Sequence, residues 1–319
     1  MSPASGRLPG VGVLRFTGAD ALAFLQGQIS NDTRRLERGE PLLAACSSPQ
    51  GRVFAVLRLL PHSTGVLALL PRELAAAVAG RLGKYVLRSK VRVENASDEF
   101  AVAGLHGTQS VEDAGFEAVG SALSAAGATG PAYRESDDGI GMAAVAAAAT
   151  IPRYWVVAPT AAIAARGLLG EADENAWRLA DIADGLPQVY ADTAELFVAQ
   201  MLNLDLLDGI SFTKGCFTGQ EIIARTQHLG RIKRRMFRVR LPDAPWRIGG
   251  PVQLVDGRSG RLTELARGGD GFEALAVLPL TAAATADSEP AATETTSDAA
   301  TAAHRGIELP LPYALTLPS

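Results

Sequence analysis

One stretch constrains this chain more than any other: Lys214-Gly215-Cys216-Phe217-Thr218-Gly219-Gln220-Glu221, followed by Ile222-Ile223-Ala224-Arg225. Two glycines keep the backbone open around one of only two cysteines. Thr218 and Glu221 have the spacing of a capping box, which predicts a helix starting there with Ile222 and Ile223 on its buried side. Cys216 then stands two residues before the cap. The positive end of the helix and the nearby Lys214 both favour thiolate over thiol, so Cys216 is a candidate reactive sulfur with Lys214 as its companion. The competing reading is a small buried apolar residue. That reading suits the second cysteine, Cys46, which ends the apolar run from Leu42.

A chain of 319 residues suggests two or three modules of ordinary domain size. Apolar residues make up 47% and charged residues 20%, the composition of a soluble globular protein with ample core. The formal charge of -4 gives no global reason to expect nucleic acid or membrane binding. Two cysteines far apart argue against a disulfide framework and for a reducing compartment. They are too few for a four-thiolate metal or cluster site. Residues 1–10 lack a basic region followed by an apolar core, and the apolar run Met142 to Ala149 is too short to span a bilayer. The expectation is a cytoplasmic protein without a membrane partner.

Val11 to Phe16 reads as a strand, and Asp20 as the cap of a helix with Ala21, Leu22, Phe24 and Leu25 on its apolar face. Pro41 to Cys46 and Arg52 to Leu60 read as a hairpin across Ser48-Pro49-Gln50-Gly51. A strand at Gly65 to Leu70, a helix at Glu73 to Leu82, strands at Val91 to Glu94 and Phe100 to Leu105, and a helix at Val111 to Ala126 follow. This order is that of split α/β modules, antiparallel sheets with helices on one face. Tyr154 to Ala158 is a strand. Helices are expected at Thr160 to Leu169 and Glu174 to Ala183, the latter carrying Trp177 and stopped by Gly185-Leu186-Pro187. Thr193 to Asn203 reads as partly helical.

Charge then reverses locally: Arg231, Lys233, Arg234, Arg235, Arg238 and Arg240 crowd together. Phe237, Val239 and Leu241 alternate with Arg238 and Arg240, a strand with one buried and one basic face. That face is either simply solvated or a patch for phosphate, carboxylate or RNA. From Leu241 onward, short apolar runs with Gly-rich turns suggest a small β-barrel or sandwich. Residues 281–304 have too little apolar bulk to fold and read as a disordered insertion before a last strand at Ile307 to Leu315.

No dinucleotide fingerprint, P-loop or His-Glu-x-x-His occurs, and the four histidines show no metal-ligand spacing, so no metal is expected. His228 follows Cys216 by twelve residues and could serve as its base only if the fold brings the two together. Trp177 is read two ways, as a filler between helix and sheet or as a flat surface for an aromatic ligand such as a pteridine.

Lys214 to Glu221, with Ile223-Ala224-Arg225, Gly230 and Lys233-Arg234, resembles the signature of the YgfZ family, folate-binding proteins related to the glycine-cleavage T-protein. Gly18-Ala19-Asp20, Phe24 to Gln28, Asn31-Asp32, Gly51-Arg52, Ala183 to Pro187, Gln200 to Leu204 and Leu309 to Leu315 are similar to further stretches of that family. The resemblance implies an α+β fold: ferredoxin-like, split α/β modules ringed around a central folate pocket over residues 1–236, then a six-stranded C-terminal β-barrel over 237–319. It implies a tetrahydrofolate cofactor and an accessory role in assembly or repair of iron–sulfur proteins, supporting tRNA modification indirectly. Trp177 falls where the family places a folate-contacting tryptophan. Gln220, Glu221 and Arg225 are further candidate folate contacts. The family's other such tryptophan corresponds to about Val11 here, and Phe217 replaces a tyrosine. T-protein enzymes resemble one another in carrying acidic residues where this chain has Ala55 and Val56, which argues against aminomethyl transfer. The rival functions are that one-carbon transfer and direct tRNA binding through the basic strand.

Overall fold

The computed structural model describes residues 5–107, 133–137, 139–145, 152–168, 170, 172–228, 232–280 and 305–315. In chain order the first elements are β1 (Gly6–Arg7), β2 (Val11–Thr17), α1 (Ala21–Gln28), the single turn α2 (Arg34–Glu37), β3 (Leu42–Ser47), β4 (Val53–His62), β5 (Gly65–Pro71), α3 (Arg72–Gly83), β6 (Arg92–Asn95) and β7 (Phe100–His106). Then come β8 (Tyr133–Glu135), β9 (Gly141–Ala144), β10 (Arg153–Pro159), α4 (Thr160–Ala165), α5 (Glu174–Ala183) and α6 (Gln220–His228). The last part is all strand: β11 (Arg234–Pro242), β12 (Pro251–Gln253), β13 (Ser259–Gly268), β14 (Gly271–Pro279) and β15 (Ile307–Leu309). The expected helix at Val111 to Ala126 and the insertion at 281–304 lie outside the described residues.

These strands make three five-stranded sheets, ordered β3-β4-β5-β2-β6, β1-β7-β10-β9-β8 and β12-β13-β14-β11-β15. All their ladders are antiparallel. The first two sheets face one another: Leu60, Leu67 and Leu69 of one meet Val102, Trp155 and Val157 of the other in a common apolar layer. Helices cover the far faces. Phe24 and Leu25 of α1 with Leu74 and Val78 of α3 pack in one cluster with Leu14 and Phe16 of β2. Ile163 of α4 packs with Ala101, Ala103 and Val156. Burial on both faces explains why β4 reads as a nearly unbroken apolar run. The hairpin turn closes on Gly51 at φ +72, a conformation that glycine adopts without steric cost.

The third sheet differs from the implied six-stranded barrel. Five strands are present among the described residues, and its two edges meet only at a parallel bridge between Leu254 and Gly306. Helix α5 is one of the elements that hold this sheet to the rest. Asn175 exchanges two hydrogen bonds with the backbone of Arg267, each 2.8 Å, and Leu179 packs against Gly268.

Two local expectations change. Asp20 makes no side-chain cap for α1; its carboxylate instead accepts the backbone N–H of Lys90 at 2.6 Å, tying the helix entrance to β6. Thr193 to Asn203 resolves into two short 3₁₀ turns, Ala191–Thr193 and Ala199–Leu202. Asp173 does cap α5, accepting from the Ala176 N–H at 3.0 Å. No helix among the described residues is long and apolar enough to cross a membrane.

Candidate functional site: a tryptophan-walled recess and a pinned cysteine loop

The cysteine segment folds as a loop clamped onto the end of α1. The Lys214 ammonium is buried and donates to three backbone carbonyls, those of Gln26, Ile29 and Asn31, at 2.6, 2.7 and 2.9 Å. These oxygens belong to the last turn of α1 and the chain just beyond it, which have no intrahelical donors. Burial pulls the pKa of Lys214 down to about 8 against the opposing charge of Asp32. The Thr218 N–H donates to the Gly27 carbonyl at 3.1 Å. The same turn is held from above: Ser30 donates to the Gly209 carbonyl at 2.6 Å, and Asn31 to the Asp208 carbonyl at 2.7 Å. Two motifs far apart in sequence are therefore one surface.

The Thr218–Glu221 capping box does not form. Helix α6 begins at Gln220, and the Thr218 hydroxyl turns to the Gly27 carbonyl at 3.5 Å. Gln220 accepts the Phe217 N–H at 3.3 Å, which closes the loop from within. Gly219 sits at φ +85, where an added Cβ would come within 2.7 Å of the Ser48 carbonyl. A backbone this close to the β3–β4 turn excludes a side chain. Cys216 is exposed at the tip of the loop. Lys214 commits all three of its protons to carbonyls and lies 4.8 Å from the Phe217 ring centre, so it fixes the loop that carries the cysteine. Glu221 and Arg225 are exposed on α6. Cys46 is fully buried in β3, and burial pushes its thiol up to about 12.

A second feature lies between the two facing sheets, at the end closed by α5 and β13. It is a recess of about 560 Å³ including its open mouth, walled by Trp155, Trp177, Arg58, Arg178, Tyr190 and Glu264 among others. Trp177, read from the sequence as a filler or as a ligand surface, stands at the boundary of the two sheets. It is buried in the apolar layer between the sheets and also lines the recess. Its indole has room because β7 carries Gly104 beneath it, where a Cβ would lie 2.4 Å from the ring. Trp155 is its neighbour, ring centres 6.1 Å apart and tilted by 42°. Val11, where the family has a tryptophan, also lines the recess, so Trp155 of β10 brings a second indole from a different strand. None of Lys214, Cys216, Gln220, Glu221 and Arg225 lines this recess. The expected folate contacts from α6 are not brought to it, because α6 is tied down elsewhere, Gln200 donating to the Ile223 carbonyl at 2.7 Å.

The polar groups of the recess were not singled out in the sequence. Arg58 is nearly buried and its guanidinium lies 4.8 Å from the Trp155 ring centre. Among the described residues it makes no hydrogen bond or ion pair. Glu264 is buried at a register shift of β13 and accepts the Tyr190 hydroxyl at 2.5 Å and the Leu265 N–H at 3.1 Å. Burial pushes its carboxyl up to about 7, opposed by Tyr190 and Arg178. Burial and the carboxylate beside it raise the Tyr190 phenol, which stays a donor. Arg153 is occupied by Asp181 and Asp184 at 2.8 and 2.6 Å. An arginine at an inward position of an otherwise apolar strand was the one available signal for Arg58.

The basic run of β11 is largely spent inside the protein. Arg235 is fully buried and bidentate on Asp205, at 2.6 and 2.9 Å. Arg238 pairs with Glu273 at 2.6 Å, while Arg240 is exposed. Arg231 and Gly230 lie outside the described residues. Among the described residues no group of three His, Cys, Asp or Glu is placed to hold a metal ion.

No family model matches the chain. It is 32% identical over 234 residues to the tRNA-modifying protein YgfZ of Colwellia psychrerythraea, covering 71% of this chain and 68% of that one. It is 32% identical over 276 residues to the tRNA-modifying protein YgfZ of Edwardsiella ictaluri, covering 76% and 78%. Among solved structures, the glycine cleavage system aminomethyltransferase T from Bartonella henselae superposes with a TM-score of 0.62 at 16% identity, covering 86% of this chain and 77% of that chain. At that identity the likeness is one of fold. On the identity and extent of these matches, this chain belongs to the family of the tRNA-modifying protein YgfZ.

Proposed function

We propose that the chain binds a tetrahydrofolate in the recess between its first two sheets and serves as an accessory factor for assembly or repair of iron–sulfur proteins. Through those clients it would support tRNA modification, the activity for which its relatives are named. The observation that carries the reading is the recess. Its walls combine two indoles with a few converging polar groups. These residues suit a flat heterocycle: the indoles offer faces for stacking, and Arg58 is a donor with no hydrogen-bond partner among the described residues. When bound, a tetrahydrofolate supplies one-carbon chemistry; the chain's own residues hold and orient it and shield its ring from water.

Aminomethyl transfer is the less favoured reading. Ala55 and Val56 are fully buried in β4 and neither can move a proton. Product formation from tetrahydrofolate and an aminomethyl donor, above background, would reverse that preference. Cys216 is read as the contact with a partner, since its exposed sulfur lies outside the recess walls. One thiolate does not retain a cluster alone, so iron–sulfur contact would be shared with a client. Direct tRNA binding through β11 is disfavoured by the internal pairing of Arg235 and Arg238. A steep fall of tRNA affinity with salt would restore it.

Two experiments test the proposal. Titration with tetrahydrofolate should quench tryptophan fluorescence, and Trp177→Ala should weaken binding about tenfold or more. Unchanged affinity in the variant would remove Trp177 from the site. In cells lacking the protein, Cys216→Ala should fail to restore iron–sulfur enzyme activity; full restoration would end the partner role of that sulfur.

A further inference from the structure

The recess offers a specific polar pattern. Among the described residues each carboxylate oxygen of Glu264 has one hydrogen-bond donor, the Tyr190 hydroxyl on Oε2 and the Leu265 N–H on Oε1. A carboxylate accepts about four hydrogen bonds, so one site remains on each oxygen. Two adjacent acceptors match two adjacent N–H donors, the pairing seen when a carboxylate meets a guanidinium-like edge. Arg58 has the opposite need. Its guanidinium has no hydrogen-bond partner among the described residues, and Trp155 beside it keeps a buried indole N–H unpaired. A buried donor such as the Trp155 indole N–H is costly when left without an acceptor, and a ligand can supply one.

We infer that Glu264 and Arg58 together read the edge of a 2-amino-4-oxopyrimidine ring, Glu264 accepting from the ring N–H and the 2-amino group and Arg58 donating to the neighbouring keto oxygen. The inference rests on the ligand-binding reading of the recess and adds which edge is read and by which residues. Trp155 and Trp177 do not sandwich the ring, because their centres are 6.1 Å apart and their planes tilted by 42°, too close for a third ring between them. The heterocycle stacks against one indole. Tyr190 is a positioning residue: its hydroxyl donates to Oε2 of Glu264 at 2.5 Å and so orients the carboxylate. Glu264 belongs to the third sheet, while Arg58 belongs to the first, so one small ring is gripped by both parts of the molecule.

The test uses the full chain and three probes: tetrahydrofolate, its analogue lacking the 2-amino group, and guanosine, which carries the same edge on another scaffold. For the wild type, loss of the 2-amino group should weaken binding on the order of tenfold to a hundredfold. Glu264→Gln keeps the side-chain volume and an oxygen for Tyr190 but replaces one acceptor by a donor. It should weaken tetrahydrofolate by a similar factor and lose most of the discrimination against the analogue. A variant damaged only in folding would keep that discrimination. Arg58→Lys should weaken all three probes alike. If tetrahydrofolate binds tightly and neither variant nor analogue changes affinity by more than about twofold, the inference falls while the folate reading stands. If guanosine alone binds, with the same dependence on Glu264, the edge assignment stands and the folate reading falls. If no probe binds, both fall.

Discussion

At the scale of single residues, Lys214 shows how a charge in a motif can serve the backbone instead of the chemistry beside it. Its three donors meet three carbonyls that have no other described partner, so removing the ammonium strands all three. Lys214→Met keeps the stem and deletes the donors; it should cost about 2–4 kcal/mol in urea unfolding, with water recovering part of the loss. A cost below about 0.5 kcal/mol would mean that the loop is held by its other bonds. The two cysteines separate cleanly by position. Native protein treated with a maleimide should be labelled at Cys216 and spared at Cys46, which is fully buried and held as a thiol. Peptide mapping by mass spectrometry reads this directly, and labelling of Cys46 without unfolding would contradict the packing of β3 against β4.

At the scale of elements, Gly104 on β7 sets the floor under Trp177. Gly104→Ala would place a methyl 2.4 Å from the indole, and the ring must lift or the strand must shift. The expected result is a loss of about 1–3 kcal/mol with a changed tryptophan emission spectrum, since the displaced ring is part of the recess wall. A normal spectrum at wild-type stability would show that the space is larger than it is drawn. Strands and helices of this kind were legible because they obey simple periods: Phe24 and Leu25 on α1, the apolar run of β4, the alternation of β11. Arg235 was read as part of the basic cluster, although it shares parity with Phe237 and Val239 and lies inside. The fate of the capping box at Thr218 was not legible, because a local pattern competes with tertiary partners and here the Gly27 carbonyl won. The cysteine loop was legible as a motif but not as a clamp, since its three acceptors lie more than 180 residues away. The recess was half legible: Trp177 was found, whereas Arg58, Tyr190 and Glu264 converge from β4, the chain after α5 and β13, and no spacing in the sequence announces that meeting.

At the scale of the whole molecule, the hydrogen bond between Tyr190 and Glu264 ties the α+β part to the C-terminal sheet through an ionisable pair. Glu264 is faced by the Tyr190 hydroxyl, the Leu265 N–H and the charges of Arg178 and Asp181, with Arg58 across the recess. Burial outweighs the stabilising contacts and raises its carboxyl from 4.5 to about 7. The folded protein therefore binds more protons than the unfolded chain between those values, and this group's contribution to stability falls as pH rises through that window. It is fully favourable below about 4.5 and lost by about 7. Glu264→Gln cannot ionise and should lack this component. Urea unfolding of both proteins at intervals from pH 5 to pH 8 should therefore show the difference in stability moving in favour of the variant as pH rises. A ligand that supplies N–H donors to the carboxylate would act in the opposite sense, stabilising the ionised form and flattening the wild-type slope when present in excess. A difference between wild type and variant that stays constant across the range would mean that Glu264 is as solvated as an ordinary surface carboxylate, and the junction between the sheets would then need another explanation.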